Sequence, residues 1–214
     1  MRFGTRNFMR FGPDSQLNFD LYARAFYNTP TIGSRIPKVY LDGVYRPSGF
    51  IQYSLKSAWD LQHNMLDHGN VRADITFSEN IALGLEYRHR SPYAWRKVDY
   101  DNFMVDTFHR QHSLRHSLMS DRRDTFLTHF FLRVMPELAF DVRTRHGWGR
   151  RHAKGYNEYE VNCITLLRNT IRLTFTFRHR STGNDYSIDF AFGDSSPTVD
   201  TTFKRISQGN YNLP

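Results

Sequence analysis

Arginine flanks a histidine on both sides at two places in this chain, Arg88-His-Arg90 and Arg178-His-Arg180. Alternate spacing on an extended backbone puts both guanidiniums on the same side. Lys56, Arg72, Arg143, Arg145 and Arg172 hold comparable polar positions in other alternating segments. A guanidinium is permanently charged, and its forked donors match phosphate or carboxylate oxygens. The chemistry these residues suggest is anion recognition. Two uses are open: lining the path of an anionic substrate, or pairing across strands with Asp74, Glu86, Asp141, Glu158 and Glu160. Bond-making chemistry has no comparable signal. The chain has no phosphate-binding glycine loop, no G-x-S-x-G, no H-E-x-x-H and no paired cysteines. No enzyme, cofactor or metal is therefore expected. His109, His112 and His116 would share one face of a helix. They lack a matched carboxylate or cysteine, and Arg110 and Arg115 would repel a cation, so a surface helix or folded loop is expected there.

The elements that must position these cations are strands. Ile81–Arg90 and Ile171–Arg180 alternate apolar and polar residues over ten positions each. A period of two is the mark of a strand with one greasy and one wet face. About ten residues is also what a tilted strand needs to cross a bilayer. In 50–59, Ile51, Tyr53, Leu55 and Trp59 oppose Gln52, Ser54 and Lys56. In 65–77, Val71, Ala73, Ile75 and Phe77 oppose Arg72, Asp74 and Thr76. The same split recurs in 126–134, 138–145, 158–167, 186–192 and 17–27, and more weakly in 1–11 and 38–46.

Turn chemistry falls at 47–49, 78–80, 135–136 and 168–170, with longer links at 28–37, 60–64, 91–124 and 147–156. Short and long connections alternate, as the inner turns and outer loops of outer-membrane barrels do. The fold expected is all-β: an antiparallel transmembrane β-barrel of about 10–11 strands over residues 1–193, forming part of a larger barrel. Residues 91–124 form its long outer loop and 194–214 a polar tail. Bacterial barrels use even strand numbers, and an unpaired edge in lipid leaves backbone groups unsatisfied. The chain is thus expected to be a fragment, or to have a mis-set start. The competing soluble sandwich alternates in the same way, but its strands are typically about five to six residues long.

Composition agrees with strands. The 214 residues include 18 Phe, 12 Tyr and 3 Trp, and carry 29 Lys+Arg against 21 Asp+Glu, a net charge of +8. Mean hydropathy is -0.62, and no segment approaches the roughly 18 apolar residues of a membrane helix. Excess positive charge points to a polyanion or anionic lipid. The cations are spread over all the strands and form no nucleic-acid-binding signature, so nucleic acid is not the partner expected. Cys163 is the one cysteine, which excludes a disulfide within the chain.

Residues 73–91, the stretch Trp95-Arg-Lys-Val-Asp-Tyr100, and Arg145-His-Gly-Trp148 followed by Tyr156-Asn-Glu-Tyr-Glu160 carry a resemblance. They look like the C-terminal barrel of the lipopolysaccharide-assembly, or organic-solvent-tolerance, outer-membrane proteins. The final hairpin, Ile171–Arg180 with 186–193, is similar to that family's closing strands. The resemblance covers about residues 1–193 and is one of strand and loop layout. It implies a bacterial outer-membrane location and the transport of lipopolysaccharide to the outer leaflet. The implied partners are outer-membrane lipids, the rest of the barrel, periplasmic transport components and a lipoprotein plug. It also implies a possible inter-domain thiol at Cys163, where the bland reading is a small residue on an apolar strand face.

The leading expectation is therefore lipopolysaccharide transport or assembly, with Lys56, Arg72, Arg88, Arg90, Arg143, Arg145, Arg172, Arg178 and Arg180 touching the anion. The Arg-His-Arg pairs would form an outer cationic rim. A porin-like channel of other cargo is the alternative, and a soluble basic β-protein that binds a polyanion is the third. Replacing Arg88 and Arg178 with Glu is expected to weaken anion passage and to leave insertion intact.

Overall fold

A computed structural model describes residues 1–25, 36, 38–61, 64–90, 124–148, 155–167, 170–180, 183–192 and 197, with the side chain of Arg90 excepted. They form β1 (Arg2–Arg10), β2 (Gln16–Arg24), β3 (Lys38–Ser48), β4 (Ile51–Asp60), β5 (Met65–Ser78) and β6 (Ile81–Arg90). These are followed by β7 (Asp124–Met135), β8 (Leu138–Trp148), β9 (Tyr156–Leu167), β10 (Ile171–Arg180) and β11 (Gly183–Phe192). All eleven make one antiparallel sheet in sequence order, each strand paired with the next.

The expected all-β fold and strand count hold, including the two weakly signalled strands β1 and β3. The sheet is not closed into a barrel: β1 and β11 are its two edges. The reason lies in parity. Neighbours alternate in direction, so the first and eleventh strands run the same way, and direct closure would create a parallel pair in an antiparallel sheet. The connections 49–50, 79–80 and 136–137 lie at one end of the sheet, and 91–123 and 149–155 join strands at the other; the two-residue link 181–182 is also at that second end, so the expected division into short turns and long loops does not hold throughout. The three histidines of the long link lie outside the described residues, as does the tail apart from Pro197.

Alternation in the chain becomes alternation across the sheet, because successive side chains point to opposite faces. On β6, Ala82, Gly84, Glu86 and Arg88 are buried while Tyr87 is exposed. On β7, Thr125, Leu127, His129 and Phe131 are buried while Phe130 is exposed. Cross-strand register carries the split from strand to strand: Arg72 lies opposite Glu86, and Glu86 opposite Leu127. Register shifts at Tyr45/Ser48, Ala58/Trp59, Thr76/Ser78 and Arg133/Met135 bend the ladder near its ends.

The faces are inverted relative to a water-soluble sheet. Arg72 and Glu86 are each 1% exposed on the polar face, whereas Val71 is 51% and Phe190 70% exposed on the apolar one. A buried apolar cluster of this face lies toward the 79–80 and 136–137 turns. There Ala82, Phe131 and Ala139 cluster, and Ile164 and Leu166 are also buried. Gly147 shows how tightly the polar face packs. A Cβ at this position would meet the Tyr156 ring at 1.9 Å, so glycine is required beneath that ring.

Candidate functional site

The candidate site is the polar face, and the register assembles it strand by strand. At its centre the Arg72 guanidinium holds Asp74 (2.8 Å from Nε), and the Arg88 guanidinium donates to Glu86. On β7 and β8, Asp141 lies 3.0 Å from His129 Nε2 and accepts from Arg143 at 2.8 Å. Glu160 on β9 accepts from Arg178 and lies 3.7 Å from Arg143. Arg145 meets Glu158 at 3.4 Å, and Arg180 meets Asp185 at 3.5 Å. Asn162 continues the network, donating to Glu160 at 3.1 Å and accepting from Thr176 at 2.7 Å. Arg143, Arg145, Glu158, Glu160 and Arg178 border a small cavity across β8–β10.

Ion pairing engages six of the arginines: Arg143, Arg145, Arg178 and Arg180 pair across strands, whereas Arg72 and Arg88 hold Asp74 and Glu86, two residues away on their own strands. Arg88 is 5% exposed, so it sits inside the network and not on an open rim. Lys56 lies opposite Asp42 and Asn70. Arg172 lies opposite Leu166 and Ala191, and its Nε is buried with no hydrogen-bond partner among the described residues. The backbone of Arg90 pairs with that of His68.

The charge count over the polar face separates two regions. Among the side chains described on β4–β11, nine cations lie there: Lys56, Arg72, Arg88, Arg133, Arg143, Arg145, Arg172, Arg178 and Arg180. The register places nine carboxylates beside them: Asp60, Asp67, Asp74, Glu86, Asp141, Glu158, Glu160, Asp185 and Asp189. On β1–β3, six described cations (Arg2, Arg6, Arg10, Arg24, Lys38 and Arg46) share the face with two carboxylates of these strands, Asp20 and Asp42, and Lys38 pairs with Asp67 of β5. The uncompensated charge therefore gathers on the first three strands.

That region has an aromatic base. Tyr22 and Tyr40 stack with ring centres 5.0 Å apart, and Tyr22 donates to Asp42 at 3.1 Å. The Arg2 guanidinium lies 3.6 Å above the Tyr22 ring, and that of Arg24 lies 5.4 Å from the Tyr40 ring. Arg2 and Arg24 are direct cross-strand neighbours, and a like-charged pair repels. Seating each cation over a ring face offsets part of that repulsion. Lys38 closes the group through an ion pair to buried Asp67. Sequence reasoning passed over these residues because β1 and β3 alternate weakly. The available signal was the even spacing of Gln16, Asn18, Asp20, Tyr22 and Arg24 on β2.

Cys163 falls on the apolar face, half-buried between Phe140 and Phe175 in register. It faces away from the ion-pair network. Among the described residues no cluster of His, Cys, Asp or Glu could hold a metal.

Fold and site together define a class: an open antiparallel β-meander with a buried, ion-paired polar face and an exposed aromatic-rich apolar face. Compared with known proteins, the chain matches no family model, no curated protein and no solved structure.

Proposed function

We propose that this chain is part of an outer-membrane β-barrel that moves an anionic amphiphile, lipopolysaccharide, toward the outer leaflet. The observation that carries the reading is the inverted burial. Charged Arg72, Glu86, Asp141 and Arg145 are almost fully covered, while Phe130, Tyr186, Ile188 and Phe190 are exposed. A water-solvated sheet gains by the reverse arrangement, since burying an apolar side chain is worth about 1.5–3 kcal/mol. Lipid against the aromatic face removes the conflict. Strands of 9–14 residues are long enough to cross. The two free edges then call for further strands, an odd number of them for antiparallel closure. The cargo rests on the resemblance of residues 73–91, 145–148 and 156–160, with the cationic excess of β1–β3 as the contact surface. Transport of this kind makes and breaks no bonds, and a cationic wall lowers the barrier for an anion.

Dilution from urea separates this reading from a soluble polyanion-binding protein. The chain should gain β-sheet circular dichroism in detergent micelles or vesicles and aggregate without them. A soluble folded monomer in plain buffer would end the membrane reading. For the cargo, Arg2→Gln with Arg24→Gln should weaken binding of fluorescent lipopolysaccharide by the refolded chain, and Arg178→Gln should weaken it less. Equal loss from both variants would leave the porin-like alternative ahead.

A further inference from the structure

His89, His146 and His179 hold the same place in three strands. Each is the ninth residue of its strand, counted from Ile81 in β6, Leu138 in β8 and Ile171 in β10. In β4, counted from Ile51, the ninth residue is Trp59. All four share the apolar face; Trp59 and His146 are exposed there, and His89 and His179 partly so. Each imidazole is tied to the next strand through Nδ1: His89 to Asp124 at 2.8 Å, His146 to Asn157 at 2.8 Å and His179 to Asn184 at 2.6 Å. Aromatic rings flank them. Tyr159 stacks on His179 with ring centres 4.7 Å apart, and Tyr87 donates to Asp124 at 2.8 Å.

The register fixes how this row runs. A line square to the strands passes from His89 through Asp124 to Trp148, two residues beyond His146. From His146 such a line reaches Asn157, two residues short of Tyr159, which lies opposite His179. The row therefore drops two residues for every two strands, toward the end of the sheet that holds the 79–80 and 136–137 turns. At about 3.4 Å per residue and 4.8 Å between strands, the slope is roughly 35°. Strands of a membrane barrel tilt by roughly 35–45°. The tilt that levels the strand starts at Ile81, Leu138 and Ile171 also levels the histidines, because each stands eight residues above its start. A row that slopes across the sheet thus lies parallel to the membrane plane.

We infer, resting on the membrane reading, that His89, His146 and His179 form with Trp59 a belt at one depth, facing the headgroups of one leaflet. The eight-residue rise spans about 27 Å along a strand, or roughly 19–22 Å across the bilayer at that tilt. This approaches the outward apolar band of about 25 Å in membrane barrels. A ring with an apolar body and a polar tip suits the level where a strand leaves hydrocarbon for headgroups. Headgroups fit better than a protein partner because the belt continues the band of Leu83, Leu85, Phe175 and Phe177 that the same reading gives to lipid. The two Arg-His-Arg segments then serve two surfaces. Arg88 and Arg178 belong to the ion-paired face, and the histidine beside each belongs to the lipid boundary.

Depth-resolved quenching tests the belt without any transport assay. In a Cys163→Ala background, Leu85→Cys, His89→Cys, His146→Cys or His179→Cys carries a bimane label, one per chain. The full chain is refolded into phosphatidylcholine vesicles bearing a nitroxide either at the headgroup or at mid-chain. The headgroup nitroxide should quench labels at 89, 146 and 179 at least threefold more than the mid-chain one, with ratios equal within twofold. The label at 85 should show the reverse. A graded series, with 89 at the headgroups and 179 at mid-chain, overturns the belt, since upright strands would set these two about 14 Å apart in depth. Mid-chain quenching at all three overturns it as well. Absence of lipid quenching at 85 overturns the membrane reading and the belt with it, so the two failures are told apart. The part played by the imidazoles is read from a label at Trp59→Cys. Replacing all three histidines with Leu should shift its quenching at least twofold toward mid-chain, and an unchanged ratio overturns their role. If that triple variant fails to fold, the depth series alone decides.

Discussion

Glu86 offers the sharpest test of the polar face, because its environment sets both the sign and the size of the effect. It is 1% exposed, accepts from the Arg88 guanidinium and lies opposite Arg72. Glu86→Leu keeps most of the volume and removes the anion, leaving Arg88 buried beside an alkyl side chain. Breaking a buried pair by removing one partner costs about 3–5 kcal/mol, since the remaining charge stays desolvated. With a urea slope of about 2 kcal/mol/M, the unfolding midpoint falls by roughly 1.5–2.5 M. Removing both charges, as Glu86→Leu with Arg88→Leu, deletes the penalty along with the pair and should recover most of the loss. The assay is urea unfolding of chain refolded in micelles, followed by tryptophan fluorescence. A single variant within about 1 kcal/mol of the parent would mean that Arg88 is solvated, and the buried network would be refuted. A double variant as unstable as the single would mean that side-chain shape, not charge, holds this part of the sheet. The same reasoning changes the choice of transport variants: Arg88→Glu sets two carboxylates together in a buried place and tests folding before passage.

Two further outcomes test the apolar face. Phe130→Arg puts a charge on the exposed side of β7, where a lipid-facing cation costs roughly 2–4 kcal/mol near the midplane. Insertion into vesicles should fall sharply, with sheet formation in urea-free micelles less affected; unchanged insertion would place Phe130 away from lipid. Cys163, between Phe140 and Phe175, should react in vesicles with a membrane-permeant maleimide and resist a charged one. Equal reaction with both reagents would put the thiol in water.

Much of the fold was legible because a strand writes its two faces into odd and even positions. Ile81–Arg90 shows this: the positions read as polar, Glu86 and Arg88, are buried on one face, and Tyr87 is exposed on the other. The turns at 78–80 and 135–136 were legible from Ser, Asn and Pro, whose side chains favour bends. β1 was faint because its apolar side carries Thr5 and Asn7 between Phe3 and Met9. The start of β11 was read three residues late because Gly183, Asn184 and Asp185 look like a turn, yet they pair with Arg180, His179 and Arg178.

Alternation by itself determined that the chain forms long amphipathic strands with the cations on one side, since a period of two leaves no other place for them. It did not determine which carboxylate each arginine meets. Arg72 and Arg88 meet Asp74 and Glu86 along their own strands, but register between strands sets Arg72 opposite Glu86 and brings Arg143 and Arg178 to the same Glu160. Only the tertiary arrangement decided that the described side chains of β4–β11 balance in charge and that an excess lies with Arg2, Arg24 and the stacked tyrosines on β1–β3. The physical reason is that compensation beyond the i, i+2 pairs of a single strand follows from which residues lie opposite, and an alternating sequence is compatible with many pairings.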